Sequence, residues 1–186
     1  MSTTTELPAD RHNSQARPLL FSLKPYYADL VFEGLKKAEL RRRIASGIEG
    51  RDVFIYVSSP VKQLRGGFRV GEVWQGSPEE IWNKISACDS ADRSELAGVD
   101  KQGFDNYYEG REIAYVLQIM DVWEYENPVD LGKLRNRFPN FVAPQSWRYV
   151  KPEEYQSFQN MKHQIKKSES SKSVLIPQER HSRVVV

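Results

Sequence analysis

Residues 34–41 read Gly34-Leu35-Lys36-Lys37-Ala38-Glu39-Leu40-Arg41, and the fold is read outward from this stretch. Upstream, Tyr27, Leu30, Val31 and Gly34 recur at i, i+3, i+4 and i+7, which predicts a helix over 25–34 with one buried face. Pro25 suits its first position and Gly34 its end. Downstream, Ala38 and Leu40 alternate with Glu39 and Arg41, which predicts a half-buried strand over 38–42. Alternation puts Glu39 and Arg41 on one face, with Lys36 at the turn just before them. A carboxylate flanked by two cations has two readings. One is a partly exposed ion-pair cluster, worth ~0–1 kcal/mol per pair. The other is a polar floor on which Lys36 and Arg41 grip phosphate and Glu39 accepts from a base amino group.

The flanking sequence alternates between strands and short helices. Leu19 to Leu23, Asp52 to Ser58, Leu64 to Trp74, Glu112 to Tyr125 and Ser146 to Val150 read as strands. Gly66-Gly67 marks a bulge or a close backbone approach. Ser77-Pro78-Glu79-Glu80 is a helix start, with Ser77 as cap and Glu80 closing a capping box. Further helices are expected at about 101–109, after Pro128 up to Arg137, and from Pro152. Helices inserted among strands, without βαβ alternation, argue for an α+β fold on a small mixed or antiparallel β-barrel. The domain is expected over 18–167, between disordered tails at 1–17 and 168–186 that carry too few large apolar groups to offset ordering entropy.

The chain has 186 residues, 39% hydrophobic and 28% charged, with a formal net charge of +2. That small net charge hides segregated blocks. Residues 34–69 hold nine basic against three acidic groups, residues 71–130 four against fourteen, and residues 131–167 eight against two. Such blocks suit either intramolecular attraction or a basic cleft for a polyanion. No apolar run reaches the ~20 residues of a membrane span, and residues 1–17 contain no apolar signal-peptide core. The cytoplasm is the expected compartment and no membrane partner is expected. The single cysteine, Cys88, excludes an intramolecular disulfide and a Cys-clustered zinc site. His12, His163 and His181 lie in or near the expected tails, so neither a histidine metal site nor a Ser-His-Asp triad is expected, and no cofactor is.

The 34–41 stretch, Gly-x-Lys-x-x-Glu-x-Arg at a helix end running into a strand, resembles the signature of the ASCH domain family of the PUA-like superfamily. Ser22-Leu23-Lys24-Pro25-Tyr26-Tyr27-Ala28 is similar to that family's first strand and helix. Tyr56-Val57-Ser58-Ser59-Pro60-Val61-Lys62, Val70-Gly71-Glu72-Val73, Tyr108-Glu109-Gly110-Arg111 and Pro144-Gln145-Ser146-Trp147-Arg148-Tyr149 follow in matching order, over about residues 19–158. The resemblance implies a small barrel with peripheral helices and a cleft for RNA or a nucleotide. On that basis Lys24, Tyr26, Lys36, Glu39, Arg41, Ser59, Trp147 and Arg148 are the expected nucleic-acid-binding residues. Strand parity places Glu72 with Phe68, Val70 and Trp74, so Glu72 either faces inward towards Lys36 or Arg41, or is turned out by a bulge.

The leading expectation is a module for single-stranded or structured RNA, or for a modified nucleotide. A concave pocket with stacking groups suits a splayed base better than duplex DNA. The alternative is a hydrolase in the same cleft, a ribonuclease or an acylated-cytidine amidohydrolase, with Lys36, Glu39 and Glu72 as catalytic groups. The resemblance implies a hydroxyl three residues after the lysine for the amidohydrolase, and Glu39 stands there. A metabolite- or partner-binding regulatory module is the third expectation. Under the binding expectation, Lys36 faces solvent in the cleft.

Overall fold

The computed structural model describes residues 17–87 and 98–162. The expectations for residues 1–16, for Cys88 and most of the acidic loop, for the three histidines and for the C-terminal tail lie outside the described residues. The strands are β1 (Leu19–Leu23), β2 (Ala38–Arg41), β3 (Asp52–Val57), β4 (Gln63–Gly76), β5 (Ala114–Asp130) and β6 (Trp147–Tyr149). The described helices are α1 (Pro25–Phe32), α2 (Pro78–Ala87), α3 (Lys101–Tyr108), α4 (Leu131–Arg137) and α5 (Pro152–Lys162).

The six strands form one mixed sheet in the order β2-β5-β4-β3-β1-β6, in an α+β fold. Among the described residues only the β1–β3 pair is parallel; the other ladders are antiparallel. The sheet curls into a half-barrel that brings its two edges, β2 and β6, together. No ladder joins them. The seam is closed by side chains instead: Arg41 Nη1 donates to the Ser146 carbonyl at 3.2 Å and to Ser146 Oγ at 3.0 Å, and Trp147 Nε1 donates to the Arg43 carbonyl at 2.9 Å.

Both faces of the sheet are covered. Leu19, Phe21, Val53, Ile55, Phe68 and Leu117 pack inside the curl with Ala28 and Val31 of α1. Leu20, Phe54, Trp123 and Tyr125 pack outside it against Leu134 of α4 and Phe158 of α5. Ala38 and Leu40 of β2 pack with Ile81 and Ile85 of α2 and with Phe104 and Tyr108 of α3. The capping box of α2 forms as its sequence requires, with Ser77 N donating to Glu80 Oε2 at 2.8 Å and Glu80 N donating to Ser77 Oγ at 3.3 Å.

Two glycines in β4 let backbones touch. A Cβ at Gly66 would lie 2.2 Å from the Trp123 carbonyl oxygen, and one at Gly67 2.2 Å from that of Val53. The ladder of β4 shifts register three times, the last between Val70 and Val73. This last bulge breaks the pleat and answers the question about Glu72. Val73 packs against the core, while Glu72 turns to solvent. The strand β5 also runs past the turn expected at Pro128. Its outer neighbour β2 covers only residues 115–118, so Pro128 needs no ladder donor on that side.

Candidate functional site

The end of α1 fixes the first cation of the site. Gly34 takes φ +73°, a left-handed conformation that costs glycine little. Gly34 N donates to the Val31 carbonyl at 3.0 Å and Leu35 N to the Leu30 carbonyl at 2.9 Å, the paired bonds of a Schellman motif. The Leu30 carbonyl also accepts from Lys36 N at 2.9 Å, which sets where Lys36 leaves the helix. Two residues on, β2 pairs with β5 and presents Glu39 and Arg41 on the face opposite Ala38 and Leu40.

Lys36, Glu39 and Arg41 converge. Lys36 Nζ lies 3.5 Å from Glu39 Oε2, and Arg41 Nη2 lies 2.8 Å from Glu39 Oε1. All three residues are buried, with relative exposures of 3%, 5% and 5%. The solvent-facing lysine expected from sequence is therefore corrected: the cluster is a desolvated floor. Burial pushes the Lys36 ammonium below its ordinary pKa and outweighs the opposing pull of Glu39; Arg41 lowers it further. Arg41 lies over Phe21, its guanidinium carbon 4.0 Å from the ring centroid. Its Nη2 contact with Glu39 is an ion pair without hydrogen-bond alignment, and its Nε has no acceptor among the described residues.

Above this floor opens a cleft of about 620 Å³. It is lined by Ser22, Lys24, Ser58, Gln145 and Ser146, and by the aromatic residues Tyr27 and Tyr107. Lys36 Nζ sits 5.6 Å from the Tyr27 ring centroid. Tyr107 is held by its hydroxyl donating to the Leu40 carbonyl at 3.2 Å, and burial raises its pKa. The space suits a nucleotide-sized ligand, with two rings for stacking and two cations for an anion.

Four of the expected site residues, Lys24, Lys36, Glu39 and Arg41, line this cleft. The others are placed elsewhere. Glu72 pairs with Lys84 on the surface at 3.5 Å, and a hydrogen bond from the Trp74 side chain is the main cause of its lowered pKa. Arg148 is locked in a two-point pair with the fully buried Glu154, both contacts at 2.7 Å. Tyr26 is 63% exposed and edge-on to Tyr27. Ser59 is exposed beside the lining residue Ser58. Trp147 serves the seam through its bond to Arg43. Part of the basic blocks is spent on pairs within the fold, such as Arg65 with Asp29 and Glu124, and Arg69 with Asp52. Tyr27, Tyr107, Ser58 and Ser146 are among the lining residues that were not expected from sequence. Ser58 and Ser146 stood inside motifs already quoted, next to the residues that were chosen.

Comparison with known proteins agrees with this architecture. Residues 21–128 match the family model of the ASCH domain. An ASCH domain-containing ribonuclease of Zymomonas mobilis is 27% identical over 146 residues, covering 78% of this chain and 93% of that protein. The crystal structure of ASCH from Zymomonas mobilis superposes with a TM-score of 0.68 at 27% identity, over 78% of this chain and 95% of that one. The large ribosomal subunit protein uL22 of Ureaplasma parvum is 25% identical over 77% of this chain, which spans only 42% of that protein.

Proposed function

The chain belongs to the ASCH domain family, and from that membership we propose that it binds single-stranded RNA through the Lys36–Glu39–Arg41 cleft. The observation that carries this reading is the buried charge cluster itself. Desolvating three charged side chains costs several kcal/mol per ion before pairing, more than their mutual attraction alone returns as stability. The two cations, one with a donor that no group of the described chain accepts, form an anion site at the base of a nucleotide-sized cleft. Arg41 and Lys36 take a phosphate, Tyr27 or Tyr107 stacks on a base, and Glu39 accepts from a base amino group. The relative named a ribonuclease supports RNA as the ligand class.

A second reading, cleavage of the bound strand, is favoured by the depressed pKa of Lys36. In that reaction the RNA 2′-oxygen attacks the adjacent phosphorus and the bond to the 5′-oxygen breaks. Glu39 takes the 2′-hydroxyl proton and Lys36 gives one to the departing 5′-oxygen, leaving a 2′,3′-cyclic phosphate and a 5′-hydroxyl. The amidohydrolase alternative draws no support from the geometry, because Glu39 occupies the position of the required hydroxyl and is held between two cations.

The test is fluorescence anisotropy with a labelled uridine octamer at low and physiological salt, alongside a cleavage assay of the same strand. The expected result is salt-dependent binding that weakens by roughly tenfold or more in Lys36→Ala. Absence of binding at low salt would overturn the reading in favour of a metabolite or protein ligand. Under the cleavage reading, Glu39→Gln removes turnover while part of the binding survives.

A further inference from the structure

Three of the basic residues without an ion-pair partner gather in one place. Among the described residues, Arg42, Arg43 and Arg111 have no carboxylate partner, unlike Arg65, Arg69 and Arg148. All three are exposed, and they line a groove of about 560 Å³ that also contains Tyr115 and a single carboxylate, Glu112. The fold engages Arg42 through Tyr107, but gives the Arg43 and Arg111 side chains no partner among the described residues. Like charges so placed repel, and the arrangement becomes favourable when an anion enters.

This groove adjoins the cleft across one shared wall. The Arg42 guanidinium carbon lies 4.6 Å from the centroid of the Tyr107 ring, and Arg42 Nε donates to the Tyr107 carbonyl at 2.5 Å. That bond uses one of the five Arg42 donors and leaves both terminal nitrogens for a ligand. Tyr107 lines the cleft on its other side. Arg41, which faces the cleft, and Arg42, which faces the groove, are consecutive residues with Cα atoms about 3.8 Å apart. A strand leaving the cleft over Tyr107 therefore meets Arg42 and the groove that Arg43 and Arg111 also line.

We propose that this groove is a second phosphate subsite, which holds the backbone of nucleotides flanking the one in the cleft. The proposal rests on the RNA reading of the cleft and adds to it the direction in which the strand runs and a requirement for more than one nucleotide. A flexible single strand can turn over the Tyr107 wall, whereas a stiff duplex cannot follow so short a bend.

The double variant Arg43→Ala/Arg111→Ala tests it. Neither side chain makes a hydrogen bond or ion pair within the described chain, and the Arg43 carbonyl that accepts from Trp147 is retained. Its melting temperature is therefore expected to match wild type. Binding of a uridine octamer and of uridine 5′-monophosphate is measured across a salt series. The expected result is a roughly tenfold loss of octamer affinity and a salt slope shallower by about 1.4, from two lost phosphate contacts at about 0.7 each. The mononucleotide, which fills only the cleft, is expected to bind the variant as it binds wild type. If the variant binds the octamer with unchanged affinity and slope, the groove proposal falls and the cleft reading stands. If both ligands weaken equally, the groove is not a separate subsite and the proposal falls. If wild type binds neither ligand, the RNA reading fails and takes the proposal with it.

Discussion

Replacing Lys36 by methionine separates a binding role from a structural one, because the two roles predict opposite balances of stability and affinity. Removing one partner of a buried ion pair usually costs about 3–5 kcal/mol, since the other charge is left uncompensated. Here Glu39 keeps Arg41 at 2.8 Å, so it is not left alone. Burial of the ammonium is the largest influence on Lys36 and acts against its charged form, so methionine relieves a cost that lysine carries. The two effects offset, and the net change in stability is expected within about 1 kcal/mol. For a domain of this size that moves the melting temperature by no more than about 2–4 °C. RNA affinity behaves differently, because a charge-assisted contact is worth about 1.5–3 kcal/mol, or roughly 10- to 150-fold. Thermal melts followed by circular dichroism, with anisotropy titrations on the same preparations, give both quantities. A variant that melts more than about 8 °C low and binds RNA like wild type refutes the reasoning and makes the cluster a structural network.

Further outcomes follow from the same geometry. RNA binding that uses charged Lys36 weakens as pH rises through its depressed pKa, below the ordinary 10.5, and Lys36→Arg is expected to carry binding to higher pH. Stability moves the other way: the folded state binds fewer protons than the unfolded chain between the depressed pKa and 10.5, so the Lys36 contribution rises with pH across that window. A denaturant series at several pH values, compared with Lys36→Met, reads that sign. Glu154→Gln strands the Arg148 guanidinium beside a buried site and is expected to cost about 3–5 kcal/mol in denaturant unfolding, while the folded fraction binds RNA normally; an affinity loss at full folding would return Arg148 to the binding site. Gly67→Ala drives a methyl group onto the Val53 carbonyl and is expected to destabilise by about 3 kcal/mol or more, read as a drop in melting temperature. Glu72→Gln on the exposed surface is expected to leave both the melting temperature and RNA affinity unchanged.

What sequence could and could not say follows from the range of each interaction. The helix before Gly34, the strand after it and the Ser77–Glu80 box are local patterns, and they appear where expected. Lys36, Glu39 and Arg41 lie within six residues, so a turn and one strand sufficed to bring them together. Ser146 reaches Arg41 from 105 residues away, and its place in the cleft depends on the curl of the whole sheet. Glu72 was ambiguous because alternation holds only while the pleat is unbroken, and the shift between Val70 and Val73 breaks it. The burial of Lys36 was misjudged because a charged residue at a turn is ordinarily exposed; here the lining from α1, β2 and the segment at Val99 encloses it.

The seam between β2 and β6 carries one more consequence. A ladder ties each residue to its register, so a change in width must propagate along the strand. Arg41, Ser146 and Trp147 hold this junction with three hydrogen bonds from side chains, and side chains exchange one at a time. Substitution there resets the aperture of the cleft while the Val53-to-Phe68 and Leu117 core stays in register. Ligand choice can drift across such a lineage by a handful of point changes, with the architecture inherited intact.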